Sequence, residues 1–319
     1  VVRNLPDTGV RINGGQACGV TRSELYGLGK GGISLRGGER ASLTPSGHFV
    51  TDCEIHHYAR LVQTYQPAVS LNGVGNRVAY NYIHHAPHQA VNFSGNDHVI
   101  EHNRIEEVCL DTADAGAIYC GRDWTLHGNI VQKNWFSRLG EGDRHRTWAV
   151  YPDDQASGVT ARHNVVVDCP SGFLFGGGRD SIIEGNLFVN VGQWPIRFDK
   201  RGIGWNGKHE KTLQKRLAEV PSGNDPWRRR FPSLVGLATN PKRNWPAGNS
   251  IQGNIAINSA IDNIDAKVVE SGTVEPTVAV PGAWKPHLQN GKIIYPDGGL
   301  DLPPGLQDLN VGPRTEKKD

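Results

Sequence analysis

Carboxylates gather between residues 111 and 158, where Asp111 and Asp114 open the stretch and Asp153 and Asp154 close it. Paired carboxylates suit glycosidic bond cleavage. One must be protonated to assist the leaving oxygen, and the other activates water or attacks the sugar. Asp114 with one member of the Asp153–Asp154 pair is the expected catalytic set. Adjacent side chains of an extended segment point to opposite faces, so only one of that pair enters a groove, and Asp154 is preferred over Asp153. Like-charge crowding raises the pKa of one carboxyl, as an acid catalyst requires. The competing reading is that these aspartates only cap turn amides. Arg122, Arg179, Arg197 and His85 are expected to orient hydroxyls or acidic groups of a substrate. His88, Asp123, Trp148 and Asp199 complete the expected binding set. Trp124, Trp148 and Trp194 are candidate sugar platforms, whereas Phe93, Tyr119, Tyr151, Phe175 and Phe198 read as a stacked core ladder. His84, His85 and His88 do not converge at their spacing, so neither a metal nor a cofactor is expected.

Residues so far apart need a scaffold that lays distant segments side by side, and the chain repeats itself in a way that supplies one. Short runs of alternating apolar residues surround Asn81, Asn103, Asn134, Asn164, Asn186 and Asn254, at steps of 22, 31, 30, 22 and 68 residues. Period-two alternation in such short runs argues for strands. Coils of short strands stacked about 4.8 Å apart bond each to the next as a parallel sheet. One asparagine per coil then has a purpose: it tolerates a left-handed corner, and its amide bonds its counterparts above and below. The fold expected is all-β, a right-handed parallel β-helix, with a short helical insertion near 208–235. Asp111–Asp114 and Gly140–Arg146 lie in insertions within the two middle coils, where such scaffolds carry function.

The chain reads as a single β-helix domain over 1–319. Early coils and an N-terminal cover occupy 1–46, and central coils occupy 47–207 and 249–262. A flanking helix and loop fill 208–248, with Leu213, Leu217 and Val220 at helical spacing. A C-terminal cover and tail run from 263 to 319, the charged end from Arg314 being frayed. Glycine-rich composition (40 of 319 residues) fits many tight turns and disfavours a helical bundle. With 34 basic and 32 acidic residues the chain has no field suited to nucleic acid. No apolar run is long enough to cross a membrane as a helix. Five scattered cysteines show no zinc spacing and read as small buried apolar residues. The lack of methionine fits a processed chain, and the expected location is extracellular or periplasmic.

The segments 114–125 (Asp-Ala-Gly-Ala-Ile-Tyr-Cys-Gly-Arg-Asp-Trp-Thr), 151–158 (Tyr-Pro-Asp-Asp-Gln-Ala-Ser-Gly), 176–180 (Gly-Gly-Gly-Arg-Asp) and 199–205 (Asp-Lys-Arg-Gly-Ile-Gly-Trp) resemble β-helix proteins of bacterial polysaccharide-degrading systems. Among these the chain is most similar to glycoside hydrolase family 141, with α-L-fucosidase and xylanase activities, from about Leu43 to Ile257. The resemblance implies a hydrolase acting on a plant, algal or microbial polysaccharide, with catalytic aspartates at Asp114 and at Asp153–Asp154. Two alternatives stand beside it: a polysaccharide lyase or uronate epimerase on the same fold, and a non-catalytic carbohydrate-binding β-helix. The partner expected is a polysaccharide or oligosaccharide, with no nucleic acid and no membrane.

Overall fold

The computed structural model describes residues 1–140, 146–296 and 300–314. Successive short strands enter three parallel sheets in rotation, one strand per sheet per coil. We name the sheets A, B and C in the order the chain visits them; they hold ten, nine and nine strands. This is the stacked-coil solenoid that the repeat predicts. Coil strands begin at Val2–Arg3 and continue past residue 262, as far as Val278–Val280.

Alternation explains both the strands and the core. Inward side chains meet their like in the next coil, as Ile83, Ile105, Phe136, Val166 and Phe188 do along sheet A. Each such side chain, fully buried, stabilises the fold by roughly 1.5–3 kcal/mol. Four cysteines are buried and Cys18 is exposed, and all five are free thiols.

The asparagines form an unbroken internal ladder. The Nδ2 of Asn134 donates to Oδ1 of Asn164 at 3.0 Å and to the carbonyl of Ile100 at 2.9 Å. Its own Oδ1 accepts from the backbone N–H and the Nδ2 of Asn103, at 3.0 and 2.9 Å. The same contacts recur from Asn81 to Asn254, even across the 68-residue step between Asn186 and Asn254. One detail differs from expectation. The left-handed residue is not the asparagine but the one before it, with φ of 57° at Tyr80, 54° at His102 and 56° at Lys133. That residue turns the corner and so aims the asparagine inward, where its amide is fully used.

Two segments leave the solenoid. Residues 201–248 start with short 3₁₀ turns and include the helix Glu210–Ala218. Leu213 and Leu217 of this helix pack with Val220, Trp227, Trp124 and Leu43. The basic run at 228–230 anchors the segment, because Arg230 holds Asp97 at 2.5 and 2.6 Å. The C-terminal segment covers the late strands of sheet A, burying Ile293, Leu306, Leu309 and Val311. Arg314 is not frayed: it grips Asp52 at 2.6 and 2.8 Å. The expected fraying of 315–319 falls outside the described residues.

Candidate active site

The ladder between strands Ala115–Gly121 and Thr147–Asp153 of sheet B breaks once. It pairs Ala115 with Thr147 and Gly116 with Trp148, then resumes at Ile118 with Val150 and runs on to Gly121 with Asp153. The bend is so sharp that a β-carbon on Gly116 would lie 2.5 Å from Cβ of Tyr151, so only glycine fits there. The leading ends of both strands therefore turn over the outer face of sheet B. They carry Asp114, Arg146 and Trp148 towards the tyrosines.

The bend also changes which side chains face out. Register sets Tyr119 and Tyr151 on one row with Asn92, and that row continues through Leu174 to Arg197. Phe93, Cys120, Phe175 and Phe198 form the inward row beside it, and Phe175 stacks on Phe198 at 5.4 Å. Tyr119 and Tyr151 thus do not belong to the core ladder expected of them. A one-residue slip moves every side chain to the other face.

These outward residues surround a cavity of about 430 Å³. Seven of the residues anticipated for chemistry or binding line it: Asp114, Arg122, Trp148, Asp153, Asp154, Arg197 and Asp199. Arg146, Tyr151, Leu174, Arg201 and Trp205 complete the wall. Trp148 is only 2 % exposed and stacks on Trp194 at 6.1 Å, so it stiffens the wall more than it offers a platform. Trp124, buried beneath the insertion, offers none.

Asp153 and Asp154 both reach this cavity, by different routes. Asp153 points outward from the strand end, with 16 % of its side chain exposed. Its Oδ1 accepts from the Asp154 amide at 2.7 Å and from Arg201, and among the described residues Oδ2 meets the Tyr119 hydroxyl alone, at 3.1 Å. Burial and the adjacent Asp154 charge push the Asp153 carboxyl above the usual carboxylate range, against the pull of Arg201. Asp154 begins a left-handed turn, with φ of 43° followed by 64° at Gln155. That conformation costs about 1–2 kcal/mol per residue and needs support. Asn206 donates to Asp154 Oδ1 at 2.7 Å and Arg122 grips Oδ2, while Gln155 bonds Asn206 at 3.0 Å. Asp154 is thus committed to neighbouring side chains on both oxygens.

Asp114 sits at the rim, about half exposed. Tyr151 donates to its Oδ1 at 3.2 Å and Arg146 faces Oδ2 at 2.9 Å. The two tyrosines meet edge to face at 5.5 Å, so Asp114 and Asp153 are joined through a crossed aromatic pair. Burial raises both phenol pKa values, which keeps the hydroxyls as neutral donors. Arg201 is the central cation: it bonds Asp199 at 2.8 and 2.9 Å and reaches across to Asp153. Gly176 separates those two carboxylates along the row, and a β-carbon there would meet the Arg201 guanidinium at 2.8 Å.

The remaining anticipated residues lie elsewhere. Asp123 is buried in a turn and accepts from Thr125 at 2.6 and 2.8 Å. Arg179 pairs with Asp180 at 3.2 Å beside His127. His85 meets Glu107 at 2.9 Å at the edge of a different cavity. His88 accepts from the Tyr65 amide at 3.2 Å, and burial lowers its pKa to about 4. Of the loop 140–146, only Gly140 and Arg146 are among the described residues. Arg201 and Trp205 lie in the segment 199–205 that carries the resemblance but had no role assigned, and Asn206 was not anticipated, because the insertion that begins here has no repeat to align. The position of Arg201, two residues after Asp199, was the available signal.

Residues 8–190 match the family model described as right handed beta helix region. A comparison with curated proteins finds no match. A solved chain named "Glycoside hydrolase" is similar at 13 % identity with a TM-score of 0.42, over 59 % of this chain and 34 % of that one. The chain thus spans about a third of that structure's length. More than half of the sequence lies under the family model, and the chain belongs to the right-handed β-helix family.

Proposed function

We propose that the chain is a carbohydrate-active enzyme, a glycoside hydrolase that cleaves a polysaccharide in the cavity on sheet B. The observation that carries this reading is Asp153, a carboxyl raised above its ordinary range in a cavity that holds a second, more exposed carboxylate at Asp114. Asp153 acts as general acid. Its proton resides on Oδ2, the oxygen without a cationic partner among the described residues, and passes to the leaving glycosidic oxygen. Asp114, oriented by Tyr151 and Arg146, activates water or attacks the anomeric carbon. Asp154 and Asp199 hold Arg122 and Arg201 in place instead of entering the reaction. Membership of glycoside hydrolase family 141, and work outside the cytoplasm on a plant, algal or microbial glycan, are part of the same proposal.

Elimination requires a base, and the cavity's basic groups are poorly suited to that role. Burial favours losing the Arg201 proton, but Asp199, Tyr151 and Asp153 outweigh it and raise the guanidinium pKa further. Lys200 faces Asp265 at 3.1 Å. Arg197 is the one observation that favours an acidic substrate and hence the lyase alternative. It lies over the Trp194 ring at 4.9 Å and has no carboxylate partner among the described residues.

The test is a screen on xylan, pectin and fucosylated glycans with Asp153→Asn and Asp114→Asn as controls. New reducing ends that fall by about 10²–10⁴-fold in Asp153→Asn support the assignment. Unsaturated product absorbing in the ultraviolet moves the reading to a lyase. Unchanged turnover in both variants removes the assignment of these residues, and glycan binding without turnover leaves the binding-module reading.

A further inference from the structure

The outer face of sheet A, well apart from the cavity on sheet B, stacks a second set of chemically active side chains. Register aligns Tyr26, His56, His84 and Glu106 on one row, and Glu24, Glu54 and Tyr82 on the next. The His56 and His84 rings lie 4.8 Å apart and 4° from parallel. Each is followed by a left-handed histidine, with φ of 49° at His57 and 52° at His85, and these two rings stack at 5.2 Å. Within each coil Nδ1 faces Nδ1, at 2.7 Å for His56 with His57 and 2.6 Å for His84 with His85. At the outer ends, His84 Nε2 lies 3.1 Å from Glu54 Oε1, and His85 Nε2 lies 2.9 Å from Glu107 Oε2.

A hydrogen count makes this row unusual. From Glu54 to Glu107 through His84 and His85 there are three short contacts, and each requires one hydrogen. Two neutral imidazoles carry two hydrogens between them. The third place is filled by an added proton or, in its stead, by a metal cation on His84 Nε2. His84 then donates from Nδ1 to His85, and His85 donates from Nε2 to Glu107. A metal-bound imidazole is commonly oriented in this way, by giving its second N–H to an outer partner.

We propose that Glu54, His56 and His84 bind a divalent transition-metal ion that clasps neighbouring coils of sheet A. One ligand atom from each residue lies within 4.8 Å of the others. Ligand atoms around a tetrahedral zinc, with bonds of about 2.1 Å, lie roughly 3.4 Å apart, so the parallel rings tilt towards each other by about 1 Å on binding. Two imidazoles and one carboxylate select Zn²⁺, Co²⁺, Ni²⁺ or Cu²⁺ over Ca²⁺ and Mg²⁺, which take oxygen ligands. Glu54 is half-exposed, which gives the ion a path in. Glu24, whose Oε1 is 3.4 Å from His56 Nε2, stands ready as a fourth ligand.

The test uses the full chain without an affinity tag, stripped with chelator and titrated calorimetrically with ZnCl₂ and NiCl₂. One equivalent binds with a dissociation constant of about 10 μM or tighter, and millimolar Mg²⁺ or Ca²⁺ does not displace it. Glu54→Gln and His84→Gln each weaken binding by about 10-fold or more, while His209→Gln leaves it unchanged. The melting temperature of the wild-type chain rises with Zn²⁺, and that of His84→Gln does not. Absence of a stoichiometric site, or equal affinity in a folded His56→Gln/His84→Gln double variant, overturns the proposal. Should His84→Gln not fold, Glu54→Gln carries the test, since its side chain is half-exposed. The measurement does not involve glycan turnover and stands apart from the hydrolase reading.

Discussion

Replacing Asn134 by alanine tests whether the asparagine ladder holds the coils together or merely decorates them. The side chain makes four hydrogen bonds between 2.9 and 3.0 Å, all buried. Alanine removes them and leaves two hydrogens without partners, that of the Asn103 backbone N–H and one on its Nδ2, while the Ile100 carbonyl keeps its ladder bond to the next coil. A buried unsatisfied polar group costs about 1–3 kcal/mol, so the two together cost roughly 2–6 kcal/mol. Typical stability is about 5–15 kcal/mol, so the variant is severely weakened. Asn134→Asp fares worse, because an oxygen replaces the donor facing both Ile100 O and Asn164 Oδ1. Asn72→Ala is the matched control. Asn72 donates to Ser94 Oγ at 2.8 Å on an exposed strand face, where water replaces the lost partner and the cost is below about 1 kcal/mol. Urea midpoints followed by circular dichroism compare the three. A loss below about 1 kcal/mol in Asn134→Ala refutes the reasoning, since two orphaned groups cannot be that cheap unless water replaces the amide.

Further expectations concern the cavity. Because the Asp153 carboxyl is raised, its protonated form persists to higher pH, and glycan cleavage declines as pH climbs through that elevated pKa. Stability falls over the same window, since the native chain there binds more protons than the unfolded one; Asp153→Asn should abolish both dependences, as pH-rate profiles and melts can establish. Gly116→Ala forces Cβ against Tyr151 and costs about 1–3 kcal/mol, with loss of turnover as the Tyr151–Asp114 contact opens. Gly176→Ala pushes Arg201 off Asp153; a melting temperature within about 1 °C of wild type together with full activity would falsify the role given to Arg201.

The solenoid was legible because each coil repeats one asparagine and one alternating strand, and a 68-residue interruption does not hide such a period. The cavity was partly legible, since Asp114, Asp153 and Asp199 follow or precede strands whose pairing can be aligned. The outward position of Tyr119 and Tyr151 was not. It depends on a break at Ala117, which faces the core like Ile118 beside it, and period-two patterns carry no memory of parity across a bend. Arg201 and Asn206 escaped because they come from a segment folded by its own tryptophans and leucines. The sheet A histidines escaped for a different reason. His84 was weighed with its sequence neighbours, while its geometric partners Glu54 and His56 lie one coil back.

The detour between Asp199 and Asn249 has a consequence for how the molecule comes apart. Stacked repeats touch only their neighbours and tend to fray from an end, coil by coil. Here Trp227 donates its indole N–H to the Arg40 carbonyl at 2.7 Å, a contact spanning 187 residues, and Arg216 bonds the Gly121 and Arg122 carbonyls on the way. The segment works as a splint laid along early and middle coils. The coil that carries Arg40 cannot peel away without first releasing it, which couples the melting of that coil to the middle of the rod.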